Sequence, residues 1–334
     1  MKDIAVLGAG SWGTALSVHL AGIGHNVRLW AREPEVASGI RTARENPIFL
    51  PGVAIPESVW PFERLDEALE GIDLVLVVAP SHVIRRVLRA AAPSIRPGAT
   101  IVSATKGIEV ETLLRPSEIA AQELGPSHPV VVLSGPSFAR EVAKGLPTAV
   151  CVASSDQAAA AEVQAEFRGP FFRLYTSDDV IGVEIGAALK NIIAIAAGVV
   201  EGLGLGHNAL AGLITRGLVE ISRLARSLGG RRETLAGLTG LGDLVLTCTG
   251  SLSRNRQFGI DLAHGRTLEE IQASTRMVAE GVLTTGAALA LGARQGVELP
   301  IAEQVAELLA GRKHPRAAVE ELMLRPQRVE ADVD

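Results

Sequence analysis

The stretch Ile4-Ala5-Val6-Leu7-Gly8-Ala9-Gly10-Ser11-Trp12-Gly13 opens the chain with an apolar run followed at once by the pattern G-x-G-x-x-G. A strand feeds a glycine turn, and the turn feeds a helix. Each glycine has its own task in such a turn. Gly8 permits the tight bend, Gly10 lets backbone N–H groups approach a pyrophosphate with no Cβ in the way, and Gly13 lets the helix pack closely on its strand. The helix N-terminus then faces the phosphates. Glycine-rich turns are common, so the pattern alone is a weak sign. Its place between an apolar run and a helical pattern makes it read as a dinucleotide fingerprint.

Outward from this start, short apolar runs recur at Ile4–Leu7, Val27–Trp30, Leu74–Val78, Thr100–Ser103, Val130–Leu133 and Ala149–Ala153. Strands buried on both faces of a parallel sheet read this way. The stretches Thr14–Ile23, Ser81–Ala92 and Gln157–Phe167 have the length and composition of crossover helices, which gives right-handed βαβ units. After about Ser177 the strands stop, and long apolar or amphipathic helices follow near 179–201, 208–228, 280–294 and 300–310. The expected fold class is therefore α/β plus all-α. A doubly wound, Rossmann-type parallel sheet over residues 1–178 precedes an all-helical domain over 179–334. Ligands of open α/β sheets bind beyond the carboxyl ends of the strands, so the helical half would close a cleft there.

Composition narrows the function classes. The chain has 334 residues, 47% of them apolar and 21% charged, the balance of a compact globular protein rather than a disordered one. A net charge of −5 argues against a broad nucleic-acid surface while allowing a local basic pocket for a small anion. The first strand starts at residue 4, leaving no room for a secretory signal, and the cytoplasm is the expected location. Glu184, Lys190 and Asn191 interrupt the apolar stretch 181–200, which reads as a buried helix and not as a membrane span. Cys151 and Cys248 are far apart and form no C-x-x-C pair, and the histidines show no ligand spacing, so neither a disulfide nor a metal site is expected.

At the end of the second apolar run the sequence is Leu29-Trp30-Ala31-Arg32-Glu33. An acidic residue here usually holds a ribose 2′-hydroxyl, whereas an arginine accommodates a 2′-phosphate. Arg32 points to NADP, and the adjacent Glu33 keeps NAD open. Trp12 either packs near the cofactor or staples the turn.

The chain holds only five lysines against 27 arginines. Lys190 sits in an apolar helix with Gly186, Ala187, Ile193 and Ala194 on its own face, none of which can pair with an ammonium. Small neighbours would leave room for a bound molecule, and partial burial would bring the lysine toward general acid–base duty. The commoner fate of such a lysine is to snorkel to solvent or to pair with an acid from elsewhere. Three further groups attract attention. Lys106 follows the strand ending at Ser103. Ser134-Gly135-Pro136-Ser137-Phe138 follows the next strand, with Gly135 for close approach and Ser137 as a hydroxyl able to bind a polyol or phosphate. Gly240-Leu241-Gly242-Asp243 precedes Ser251-Leu252-Ser253-Arg254-Asn255-Arg256, where serine caps a helix beside two arginines and makes an anion site. A surface turn, a Gly-Pro turn and a solvated cap are the ordinary readings of these three.

Taken together and in this order, these motifs, with Leu189-Lys190-Asn191, Leu213-Ile214-Thr215-Arg216-Gly217 and Val278-Ala279-Glu280-Gly281-Val282, resemble those of the bacterial NAD(P)-dependent glycerol-3-phosphate dehydrogenases over almost the full length. The resemblance implies reversible reduction of dihydroxyacetone phosphate to sn-glycerol 3-phosphate, which supplies phospholipid synthesis. It also implies a helical domain of the kind found in the 6-phosphogluconate dehydrogenase group. By this resemblance Gly8, Gly10, Ser11, Trp12, Gly13, Arg32, Lys106, Ala139, Arg254, Val278 and Glu280 would hold the coenzyme, NADP with NAD possible. Lys106, Gly135, Ser137, Asp243, Ser253, Arg254 and Asn255 would surround the triose phosphate, and Lys190 would carry the proton. A homodimer is a further expectation. The β-hydroxyacid dehydrogenases, which also carry a helix-borne lysine, and a catalytically silent NAD(P) sensor are the competing readings.

Overall fold

The computed structural model describes residues 1–274, 279–327 and 329–330. Two compact units make up the chain, Met1–Lys106 with Leu114–Glu184, and Gly107–Leu113 with Ile185–Asp334.

The first unit is an eight-stranded sheet: β1 Asp3–Leu7, β2 Asn26–Trp30, β3 Val59–Phe62, β4 Leu74–Val77, β5 Thr100–Ser103, β6 Val130–Ser134, β7 Thr148–Ala153 and β8 Phe172–Ser177. Their order across the sheet is β3-β2-β1-β4-β5-β6-β7-β8, and the strands pair in parallel except β6 with β7. The continuous apolar runs follow from burial on both faces. Ile4 and Val6 join one core cluster, with Leu16, Leu20 and Phe167 from covering helices, whereas Ala5 and Leu7 join another with Ile84, Leu88 and Ile119. Two strands go beyond the six apolar runs, and both are sheet edges. Pro61 in β3 is tolerated because an edge strand has no neighbour on one side to receive the missing N–H. In β8 buried Phe172 and Leu174 alternate with exposed Arg173 and Tyr175.

Register fixes where the fingerprint lies. Leu7 is level with Trp30 of β2 and Val77 of β4, so β1 ends in the middle of the sheet flanked by the carboxyl ends of both neighbours. Strand order reverses between β2 and β4, the switch point at which open α/β sheets bind ligands.

The helix Val180–Gly202 carries the chain out of the first unit and into the second. Its length and composition would suit a membrane, yet 83% of its most apolar window is buried inside the protein, as in a core helix. In the second unit glycines let other helices close on it. A Cβ on Gly217, in the helix Gly206–Ser227, would lie 2.6 Å from the Ile193 side chain. The helix Arg254–Ala263 comes closer still. A Cβ on Gly198 would lie 1.9 Å from the Arg256 carbonyl oxygen, and one on Gly259 would lie 1.9 Å from that of Ile195. The two backbones touch directly, which only glycine at both positions allows.

Candidate active site

In the first unit the three fingerprint glycines are held by different constraints. Gly8 has φ +125°, and a Cβ there would meet the Val78 carbonyl oxygen at 2.7 Å; a Cβ on Gly13 would meet the Gly8 carbonyl oxygen at 1.9 Å. Both are required by the protein itself. Around Gly10 nothing lies within 4 Å of the Cβ position. A cradle that a methyl group would fill, at the start of the helix Ser11–Gly22, fits a pyrophosphate. The turn is braced by Asn46, whose amide donates to the Ala9 carbonyl and the Thr14 hydroxyl, each at 2.8 Å, and whose oxygen accepts from Phe49 N–H at 3.0 Å. The Ser11 hydroxyl donates to the Phe49 carbonyl at 2.5 Å. Asn46 was not foreseen, because nothing local in the sequence links it to a turn so far upstream.

Trp12 does pack at the turn. Its ring joins Ala15, Leu50, Val53 and Ala139, bringing two of the expected cofactor residues into one cluster. Its buried indole Nε1 has no hydrogen-bond partner among the described residues, an orphaned donor beside the phosphate cradle. Arg32 is exposed at 66% and its guanidinium pairs with Glu33, at 2.9 Å from Nε. The arginine and the acid that left the coenzyme open are thus bound to each other.

Lys106, Gly135 and Ser137 converge in the same unit. The Gly135 carbonyl accepts from Lys106 Nζ at 3.4 Å and from the Ser137 hydroxyl at 3.0 Å. Gly135 itself has φ +143°, and a Cβ there would lie 2.9 Å from Val150 Cα. Close approach to β7 requires this glycine.

In the second unit Lys190 is buried and bound. Its ammonium donates to Asp243 Oδ1 and, at 3.0 Å, to the Thr247 hydroxyl. The Thr247 hydroxyl in turn donates to the Asp243 backbone carbonyl at 2.6 Å. Side-chain exposure is 7% for Lys190 and 1% for Asp243, so the pair is a desolvated one in which each charge depends on the other. The acid comes from a turn of π-helix, Leu238–Gly242, that runs into the helix Asp243–Thr249. That turn explains the glycine at 186 beside Lys190. A Cβ on Gly186 would lie 3.0 Å from Leu235 Cδ1 and 3.1 Å from the Thr239 carbonyl oxygen. The space beside Gly186, expected to admit a bound molecule, is filled by the segment that delivers Asp243. Thr247 was not foreseen, although its i+4 spacing from Asp243 puts the two on one helix face. Cys248 is also buried, which pushes its thiol up to about 12 and leaves it unreactive.

The Ser253 hydroxyl accepts from Arg256 N–H at 3.2 Å and caps the helix Arg254–Ala263. Asn255 ties this helix start to two others: its amide donates to Asn191 Oδ1 at 3.0 Å, and its oxygen accepts from Gly281 N–H at 3.0 Å. The residue beside Lys190 and the start of the helix Glu280–Gln295 are therefore linked through one side chain. Burial lowers the Arg254 guanidinium and the charge of Glu280 opposes it, so these two expected coenzyme contacts sense each other. Arg256 does not add to the anion site; it pairs with Glu201 at 2.5 Å. Val278 lies outside the described residues.

Known proteins share this architecture. Models of the NAD-dependent glycerol-3-phosphate dehydrogenase N-terminus and C-terminus match residues 3–160 and 179–320. A glycerol-3-phosphate dehydrogenase, NAD(P)+, of Koribacter versatilis is 53% identical over 334 residues, covering 99% of each chain. The chain belongs to the NAD-dependent glycerol-3-phosphate dehydrogenase family. One of Geobacter metallireducens is 52% identical over 98% of this chain and 99% of its own. The crystal structure of glycerol-3-phosphate dehydrogenase from Coxiella burnetii superposes with a TM-score of 0.94 at 42% identity, covering 97% of this chain and 99% of that one. Membership makes the protein an oxidoreductase with an NAD(P)-binding Rossmann fold and a small-molecule substrate.

Proposed function

We propose that this protein catalyses the reversible reduction of dihydroxyacetone phosphate to sn-glycerol 3-phosphate, with NADPH preferred over NADH and Lys190 as the proton donor. The observation that carries the reading is the buried Lys190–Asp243–Thr247 cluster on a helix crossing. A bound NAD(P)H supplies the reducing equivalent for the carbonyl carbon. Gly10, Ser11 and Trp12 at the helix start would hold its pyrophosphate and Arg32 a 2′-phosphate, and Ala139, Arg254 and Glu280 are further candidate coenzyme contacts.

Asp243 keeps Lys190 protonated, and the ammonium gives its proton to the carbonyl oxygen as negative charge develops there. In the reverse direction the neutral amine removes the hydroxyl proton. Proton transfer of this kind supplies roughly 10²–10⁴-fold in rate, and the positive charge facing the alkoxide adds electrostatic stabilisation. The first N–H groups of the helix capped by Ser253, with Arg254 and Asn255, would bind the substrate phosphate, and Lys106 and Ser137 are further candidate substrate contacts. An acidic protein selects a dianion through such a local site. We further assign the protein to the cytoplasm, as a homodimer supplying glycerol phosphate for phospholipid synthesis.

The test is NADPH oxidation with dihydroxyacetone phosphate, repeated with NADH and with unphosphorylated dihydroxyacetone. Activity should require the phosphate, and Lys190→Met should lower turnover by at least about a hundredfold while sparing coenzyme affinity. Near-normal turnover of that variant would remove the lysine from the mechanism.

A further inference from the structure

We infer that the His82 imidazole and the Arg86 guanidinium complete, with Arg32, a cradle for the 2′-phosphate of NADPH, so that the turn into the helix Ile84–Ala91 takes part in coenzyme selection. The inference rests on the proposed preference for a phosphorylated dinucleotide and extends it to residues outside the fingerprint.

Topology brings these side chains to one place. Arg32 lies two residues beyond the end of β2, and His82 follows β4; both strands flank β1, level with Leu7. The fingerprint turn is pinned between the two strand ends, through Gly8 N–H to the Trp30 carbonyl at 3.2 Å and Val78 N–H to the Leu7 carbonyl at 2.9 Å. His82, in the turn before the helix, and Arg86, in its first turn, are four residues apart, and both are exposed. That helix sorts its arginines. Arg85 and Arg89 both pair with Glu123, at 2.7 and 2.9 Å, whereas Arg86 makes no ion pair among the described residues and instead acts on His82. Partial burial, then the charges of Arg86 and Arg32, hold the His82 imidazole below its ordinary range. The charges of both arginines therefore act on the same ring.

Two guanidiniums and an imidazole gathered at the carboxyl edge of a dinucleotide-binding sheet, with Glu33 as the one acid paired to them among the described residues, leave excess positive charge where no structural duty requires it. Like charges so placed repel one another until an anion arrives. A ribose carrying a 2′-phosphate would bring two negative charges; one carrying a hydroxyl brings none. Helix-surface substitutions here do not touch the core, so folding is preserved.

Direct fluorescence titration of NADPH and NADH onto the purified full chain tests the inference without relying on turnover. His82→Gln and Arg86→Gln should each weaken NADPH roughly 3- to 30-fold, the range of charge-assisted contacts to a partly exposed phosphate, and leave NADH within about twofold. The NADPH penalty should shrink as salt is raised, because exposed charges are screened. Equal weakening of both coenzymes, or no change in either, overturns the cradle. Arg32→Ala separates the two levels. If it weakens NADPH selectively while the other two variants are silent, only the present inference falls. If it too is silent, the proposed preference for the phosphorylated coenzyme falls as well.

Discussion

Replacing Asp243 by asparagine keeps the shape of the partner of Lys190 and removes its charge. The ammonium is then buried, with Thr247 and an amide among its acceptors. Breaking a buried ion pair by neutralising one member costs roughly 3–5 kcal/mol. At about 1.4 kcal/mol per pKa unit this equals some 2–4 units, enough to bring the lysine from about 10 down to about 7. The sign follows from proton linkage. In the variant the unfolded chain holds the lysine proton up to about pH 10, whereas the folded chain gives it up near pH 7, so unfolding takes up a proton between those values. The stability deficit of Asp243→Asn against the parent is full below about pH 7 and shrinks as pH rises toward 10. Catalysis should show the same titration. Ketone reduction, which needs the ammonium, should fall away above neutral pH, while oxidation of the alcohol, which needs the free amine, should persist. Urea unfolding at pH 6, 8 and 9.5, with initial rates in both directions, measures both effects. A stability deficit that does not change with pH, together with an unshifted pH–rate profile, would refute the idea that Asp243 sets the charge of Lys190.

Two further outcomes follow from the geometry. Gly10→Ala should leave thermal stability within about 0.5 kcal/mol of the parent, since φ −68° and ψ −179° suit alanine and nothing lies within 4 Å of the new methyl; coenzyme affinity should nevertheless drop at least about tenfold, and unchanged affinity in a fluorescence titration would show that the phosphates lie elsewhere. Glu220, buried and accepting from Ile301 and Ala302 N–H at 2.9 and 3.0 Å, is pushed from 4.5 up to about 7 by burial. Its native form holds a proton that the unfolded chain has lost, so the parent should lose stability as pH rises from about 4.5 to 7, by about 3 kcal/mol for a difference of 7 − 4.5 units. Glu220→Gln should lack that slope in denaturation series, and an identical slope in both proteins would rule the carboxyl out as its source.

The interior of the sheet was legible because strands such as Ile4–Leu7 and Leu74–Val77 are buried on both faces and need apolar residues throughout. The edges were not. Pro61 breaks the pattern of β3, and Arg173 and Tyr175 dilute that of β8, for the same reason that an edge tolerates them. The antiparallel pairing of β6 with β7 leaves no local mark either, since an apolar run does not carry its direction. At the site, residue types were readable and partners were not. Lys190 stood out as a lysine among small apolar neighbours, yet its acid lies 53 residues away. The glycine at 186 carried a real signal of close approach, but the approaching group is the protein's own π-helical turn. Sequence periodicity reports that space is needed without saying what fills it.

The contact of Gly198 with the Arg256 carbonyl, and of Gly259 with that of Ile195, makes main chain the spacer between two helices. One of them carries Lys190, two turns before Gly198, and the other begins at the Ser253 cap. For the chemistry proposed, the interval between proton donor and phosphate anchor is thus a ruler cut in backbone, which no rotamer change can lengthen. Substitutions among lining side chains would alter how firmly a substrate is gripped, whereas admitting a longer carbon chain between carbonyl and phosphate would require respacing the helices themselves.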